Sequence, residues 1–201
     1  MEIMKAKYEI LSDINRDSIL RSIEVAGRTC YKSEEKINAD SAAKFVSMIM
    51  KRGHLSVIEH EKVTVKFYID RGVLHEMVRH RLSSFSQEST RYCNYNKKGM
   101  TYIDMEDHFS SPESFQLWMN TLTQLEHTYN KMIELGEKPQ IARAILPNCL
   151  KTEIVVTSNL RQWRTIFEQR TSSAAHPQMR EVMVPLLKEF QQLLPEIYGD
   201  L

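Results

Sequence analysis

Apolar residues recur at helical spacing through most of this chain, whereas β-type patterning is confined to a few short, scattered runs. That imbalance restricts the fold more than any other feature. The best strand is Val63-Thr64-Val65-Lys66-Phe67-Tyr68-Ile69, β-branched and aromatic with partial alternation. A second covers Glu153 to Thr157, and residues 2–10 are β-compatible. Ile14-Asn15-Arg16-Asp17 leads into a helix through about Gly27, with Ile19, Leu20, Ile23 and Val25 as its apolar positions. Asp40 is placed to cap a second helix, whose face is Ala43, Phe45, Val46, Ile49 and Met50 and whose natural stop is Gly53. A short helix is expected from about Gly72 to His80. Ser111-Pro112 opens the longest, which keeps its period to Gly136. Ser158 or Asn159 caps a helix through Arg170, and Pro177 opens a last one to about Leu194, with a kink expected at Pro185. The pattern predicts an α+β fold: a mixed or antiparallel sheet with surrounding helices, not a doubly wound parallel sheet. No Gly-x-Gly-x-x-Gly follows a strand, so a Rossmann dinucleotide site is not supported.

Across 201 residues there is no internal repeat and no Pro/Gly/Ser linker, so residues 1–201 read as a single domain. The formal net charge is +1. Bulk electrostatics therefore gives no reason to expect nucleic acid or an acidic membrane as partner, and any anion site must come from local clustering. No apolar run approaches the ~18–20 residues of a membrane span. MEIMKAKYEI lacks a cationic start followed by an apolar stretch, so the cytoplasm is the expected compartment. Cys30, Cys93 and Cys149 are odd in number and widely spaced. They form neither a CxxC pattern nor a disulfide framework, and buried, reduced thiols are expected.

Local clustering does occur, between positions 79 and 98. Arg79, Arg81, Arg91, Lys97 and Lys98 stand there against Glu88, among the hydroxyls of Ser83, Ser84, Ser86, Ser89, Thr90 and Tyr92. Guanidinium forks beside hydroxyl donors are what a phosphate or pyrophosphate site requires. A solvated helix end with dipole-matched cations is the plainer reading. A nucleotide- or nucleic-acid-binding module without catalysis, built on the 79–98 segment, is the functional alternative to an enzyme.

Arg79-His80-Arg81, seven residues and then Ser89, continued by Arg91-Tyr92, resembles the signature of the flavin-dependent thymidylate synthases. Further blocks resemble that family in its order: Gly27-Arg28-Thr29-Cys30-Tyr31, Gly53 through His60, Ala142 through Pro147, and Asn159-Leu160-Arg161 leading to Arg170. Together they cover roughly residues 20 to 185. The resemblance implies reductive methylation of dUMP to dTMP, with 5,10-methylenetetrahydrofolate as one-carbon donor and FAD reduced by NADPH. It also implies a homotetramer with active sites at subunit interfaces.

On the same resemblance, Arg79, His80 and Arg81 face the flavin pyrophosphate, and His54, Ser56, Gln87, Asn159, Arg161 and Thr165 add flavin contacts. The nucleotide would meet Glu76, Arg79, Gln87, Glu88, Ser89, Thr90, Arg91, Arg143 and Arg170. Gln87 stands where many relatives have Glu, Glu76 where Gln is common, and Thr165 where Asn is frequent. His54 and His60, six apart around Glu59, lack the i, i+4 spacing of a zinc helix, and no metal is expected.

Methylation at C5 of uracil needs a nucleophilic C5–C6 bond. A cysteine thiolate at C6 is one solution. Leu146-Pro147-Asn148-Cys149 superficially resembles the Leu-Pro-Pro-Cys-His motif of the cysteine-dependent synthases, but Asn148 and Leu150 break it. The flavin solution, which the resemblance implies, leaves the protein to orient uracil and stabilise its developing negative charge. Arg170 matches the family's arginine at the pyrimidine edge and is the expected catalytic residue, as an electrostatic activator and not a proton donor.

Overall fold

A computed structural model describes residues 1–201, the side chain of Lys98 excepted, so that member of the basic cluster lies outside the described residues. The elements are β1 (Glu2–Met4), β2 (Lys7–Ile10), α1 (Arg16–Tyr31), α2 (Ser41–Lys51), β3 (Lys62–Asp70), α3 (Arg71–Met77), β4 (Ser83–Gln87), α4 (Tyr95–Lys98), β5 (Thr101–Ile103), α5 (Pro112–Glu134), α6 (Pro139–Ala142), β6 (Lys151–Asn159), α7 (Leu160–Arg170), α8 (Pro177–Leu193) and α9 (Pro195–Tyr198). Four strands form a sheet in the order β2-β3-β6-β4, and β1 pairs with β5 in parallel. An antiparallel bridge joins Tyr102 to Leu150. Helices surround these mixed pairings, as the α+β reading requires.

The chain forms two compact units. The first comprises residues 1–7, 67–79 and 86–154, and the second 8–66, 80–85 and 155–201. In the first, Tyr95, Met100, Tyr102, Leu122, Tyr129 and Leu150 make the core. In the second, the rings of Trp163, Phe167, Phe190 and Tyr198 pack edge-on or stacked at 5.1–5.8 Å. Trp163 Nε1 donates to the Val63 carbonyl at 3.0 Å, so the indole is buried without an orphaned donor.

Most boundaries follow local chemistry. Ser111 caps α5 through Ser114 N, and Asn159, rather than Ser158, caps α7 by accepting from Gln162 N at 2.7 Å. Gly53 and Gly136 carry the positive φ that ends a helix without strain.

Other expectations need correction. α1 does not stop at Gly27 but runs to Tyr31. A Cβ at Gly27 would lie 2.6 Å from the Phe45 ring, so this glycine permits close approach of α2 instead of ending α1. Val25 is exposed, and Glu24 is the fully buried residue beside it. Asp40 sits at the start of α2 without a capping side-chain bond. α3 begins earlier and ends sooner than expected, because Asp70 Oδ1 caps it by accepting from Val73 N at 2.6 Å. β4 and β5 were not anticipated, since Ser83–Gln87 is polar and Thr101–Ile103 spans three residues. Cys30 is exposed on α1 and not buried, while Cys93 and Cys149 are half-buried.

Candidate active site

The second unit holds one group of expected flavin ligands around the start of α7. Asn159 ends β6 and caps α7, which commits its Oδ1 to the backbone and leaves its amide NH2 for a ligand. Arg161 is exposed in the first turn, and its Nη1 donates to Glu59 Oε1 at 2.6 Å. Glu59 belongs to the turn 55–60, which packs on α7 and carries exposed Ser56. Exposed His54 precedes it, with Nδ1 3.3 Å from the Tyr31 hydroxyl. Half-buried Thr165 lies one turn after Arg161 on the same helix face. Peptide N–H groups and a cation thus converge where an anion or a polar ring edge would be held.

The other end of α7 carries Arg170, about 16 Å along the helix from Asn159 at 1.5 Å per residue. Its Nε donates to Nε2 of His80 at 2.9 Å. That bond requires a neutral imidazole with its proton on Nδ1. His80 is buried, and burial together with the Arg170 charge pushes its pKa down from 6.5 to about 4. His80, expected at the pyrophosphate as a titratable imidazole, here accepts from a guanidinium through Nε2. Arg79 and Arg81 flank it in sequence and are both exposed, so the permanent charges point to solvent while the imidazole turns inward.

A pH dependence follows. Below 6.5 the unfolded chain protonates its imidazole while the folded one resists, so stability falls with pH. Of the order of 3 kcal/mol is lost between pH 6.5 and about 4. Protonation also removes the acceptor that holds Arg170. His80→Gln keeps an acceptor that does not titrate. Its pH–activity profile is expected to lack an acid limb centred near pH 4 that the unsubstituted protein is expected to have. An unchanged limb would contradict the assignment.

In the first unit, Ser89 forms a turn: its Oγ accepts from Arg91 N at 3.3 Å and its carbonyl accepts from Tyr92 N and Cys93 N. Thr90 is buried and accepts from Arg143 Nη1 at 3.3 Å, which joins two expected nucleotide ligands. Arg91 is exposed and lies over the Tyr92 ring. Gln87 ends β4 in solvent, and half-buried Glu76 closes α3, its carbonyl accepting from Arg79 N. Glu88 behaves differently: its carboxylate accepts from the Tyr95 hydroxyl at 2.9 Å and from Lys151 Nζ at 3.3 Å. Lys151 also donates to Glu153 at 2.7 Å. Burial lowers the Lys151 pKa, but the hydrogen bond to Glu153 and the charge of Glu88 outweigh it, so the ammonium is held above its ordinary range. The network pins the residue next to Ser89. Sequence reasoning missed Lys151 and Tyr95. Lys151-Thr152-Glu153 places opposite charges two apart on one strand face, and that was the available signal.

Not every hydroxyl of the basic segment is free for a ligand. In the second unit Ser83 Oγ lies 2.5 Å from Ser158 Oγ. The Cys149 thiol is raised by burial above its ordinary value, which keeps it protonated near neutrality and unsuited to nucleophilic attack.

Comparison with known proteins bears on this arrangement. The family described as thymidylate synthase complementing protein matches residues 14–196. A flavin-dependent thymidylate synthase from Corynebacterium glutamicum is 33% identical over 196 residues, covering 89% of this chain and 78% of the relative. One from Geobacter sulfurreducens is 30% identical over 186 residues, covering 89% and 80%. Among solved structures, a UMP/dUMP methylase from Streptomyces cacaoi bound with 5-Br dUMP superposes with a TM-score of 0.80 at 20% identity, covering 99% of this chain and 96% of that one. This last likeness concerns the fold alone.

Proposed function

The chain belongs to the thymidylate synthase complementing protein family, that of the flavin-dependent thymidylate synthases, and we propose that it converts dUMP to dTMP with FAD, 5,10-methylenetetrahydrofolate and NADPH. The observation that carries this reading is Arg170, a permanent charge held in a fixed direction by a neutral, buried imidazole. Such a charge is set in place before the reaction and stabilises negative charge developing on the pyrimidine. The earlier alternative, a binding module on residues 79–98, gives way because the relatives match nearly the whole chain and not the basic segment alone.

The residues fit a flavin. Exposed Arg79 and Arg81 suit its pyrophosphate. His54, Ser56, the Asn159 amide, Arg161 and Thr165 suit its other polar edges, and Gln87 adds one side-chain amide. Flavin, when bound, supplies the reducing equivalents and relays the one-carbon unit from folate. The protein's part is to bind and orient. Ser89 and Arg91 suit a monophosphate, Arg143 is bonded to Thr90 between them, and Glu76 and Glu88 are proposed as further nucleotide contacts. Arg161 is already bonded to Glu59, so ligand binding there exchanges a partner, whereas the Asn159 amide NH2 adds one.

We treat residues 1–201 as one catalytic domain, since each compact unit is assembled from three separated segments. The proposed assembly is a homotetramer. Arg79, Arg81 and Arg91 are all solvent-exposed in a single chain, and a site that excludes water from a flavin and a uracil needs further walls. The three cysteines are free, which suits the reducing cytoplasm, where we place the reaction. No described helix is long and apolar enough to cross a membrane.

The test is a Cys30→Ser/Cys93→Ser/Cys149→Ser variant. It is expected to retain the yellow flavin chromophore and dUMP-dependent turnover within about tenfold of the unsubstituted enzyme, because no thiolate is required. Loss of all turnover in a folded Cys149→Ser variant would instead support cysteine-dependent chemistry.

A further inference from the structure

One hollow in the second unit is lined by residues not assigned above. It measures about 580 Å³ and is walled by the C-terminal turn of α1, residues 33–40 and α2. Four cations line it, Arg28, Lys36, Lys44 and Arg52, against the single carboxylate of Asp40. This concentration stands out on a chain of net charge +1. Arg28 is committed: its Nε donates to fully buried Glu24 at 2.8 Å, and its guanidinium lies over the Phe45 ring at 4.7 Å. Lys36, Lys44 and Arg52 are exposed and, among the described residues, none has a carboxylate within ion-pair distance. Glu24 also accepts from Ser41 Oγ at 2.8 Å, so the wall between α1 and α2 is fixed by an internal polar link.

Two more features give the hollow direction. A second hollow of about 550 Å³ shares Lys44, Met48 and Arg52 with the first and adds Lys51, which extends the basic wall along α2. The lining also includes Tyr31, 60% exposed, whose hydroxyl touches His54, the histidine expected beside flavin. The ligand called for is elongated and polyanionic, with a ring system that can lie against an exposed tyrosine.

We infer that this basic hollow is a second anion site that holds the 2′-phosphoadenosine end of the reduced nicotinamide donor. The inference rests on the proposed use of NADPH and adds its place on the protein. A 2′-phosphate and a pyrophosphate carry more charge than the carboxylates of a folate tail and match three uncompensated cations better. Both monophosphate and pyrophosphate oxygens accept from lysine and arginine donors without demanding one geometry, which suits side chains anchored on a single helix and an adjoining turn.

The experiment uses the flavin-loaded enzyme and a Lys36→Ala/Lys44→Ala/Arg52→Ala variant. Lys44→Gln/Arg52→Gln serves as the second variant should the first fail to fold. Calorimetric titration with 2′,5′-ADP is expected to show binding to the unsubstituted enzyme, weakened at least about tenfold in the variant. In anaerobic flavin reduction the KM for NADPH should rise by a similar factor while that for NADH changes less than about threefold, with flavin content unaltered. Equal 2′,5′-ADP affinity in both proteins would overturn the site. A higher KM for methylenetetrahydrofolate with that for NADPH unchanged would overturn it too, and would assign the hollow to a folate tail. If NADPH reduces both proteins with one KM, the reductant stands and the site falls. If neither nicotinamide reduces the flavin yet 2′,5′-ADP binding depends on these cations, the anion site stands and the reductant falls.

Discussion

Arg170→Ala and Arg170→Lys are both expected to leave flavin binding and NADPH oxidation largely intact while dTMP formation falls on the order of 10²–10³. The guanidinium is half-buried at the end of α7, with Nε donating to His80. We expect the same guanidinium to meet the pyrimidine edge. Lysine retains the charge but has no Nε to bond His80 while also presenting a planar pair of donors. It therefore should not rescue. Removing the Arg170 charge should also let the His80 pKa climb from about 4, since that charge is one of its two depressing causes. NMR titration of the imidazole reads this independently of turnover. If Arg170 served only as a cation closing its helix, alanine would cost about 0.3–1 kcal/mol of stability and leave dTMP formation nearly unchanged. Parallel assays of melting temperature and product formation separate the two outcomes.

The second large effect is expected at the cofactor. In an Arg79→Ala/Arg81→Ala variant, two charge-assisted phosphate contacts are lost at roughly 1.5–3 kcal/mol each, so flavin affinity should fall by about 10²–10⁴. Both side chains are exposed, so folding stability should move by no more than about 0.5 kcal/mol. Purified variant protein should be nearly colourless at the same melting temperature. Wild-type flavin affinity in the double variant would remove these residues from the pyrophosphate.

The sequence was most legible where one local force decides the outcome. Val63, Val65, Phe67 and Ile69 alternate with polar neighbours and are all fully buried on one face of β3. Ser111, Asn159 and Pro177 mark helix starts because capping and a missing amide proton act within one turn. Partners distant in sequence left weaker traces. Gly27 reads as a helix stop until the Phe45 ring is seen against it. His80 reads as part of a basic triplet, yet burial and the charge of Arg170, ninety residues away, hold it neutral. Glu88 reads as a lone acid among bases, and only Lys151 and Tyr95 show its charge to be used internally. Within the candidate site, residue types were recoverable from spacing and resemblance. The pairing of Arg143 with Thr90 and of Arg161 with Glu59 was not, because tertiary contact sets it and local propensity does not.

The folate product tests the account most directly. Purified enzyme, dUMP, methylenetetrahydrofolate and NADPH are combined without oxygen, and the folate released with each dTMP is identified by chromatography. Where flavin supplies the reducing equivalents, the folate gives up only its one-carbon unit, and tetrahydrofolate is predicted in equal amount to dTMP. Dihydrofolate in equal amount to dTMP would mean that the folate itself furnished the hydride, and would contradict flavin-dependent synthesis by this chain.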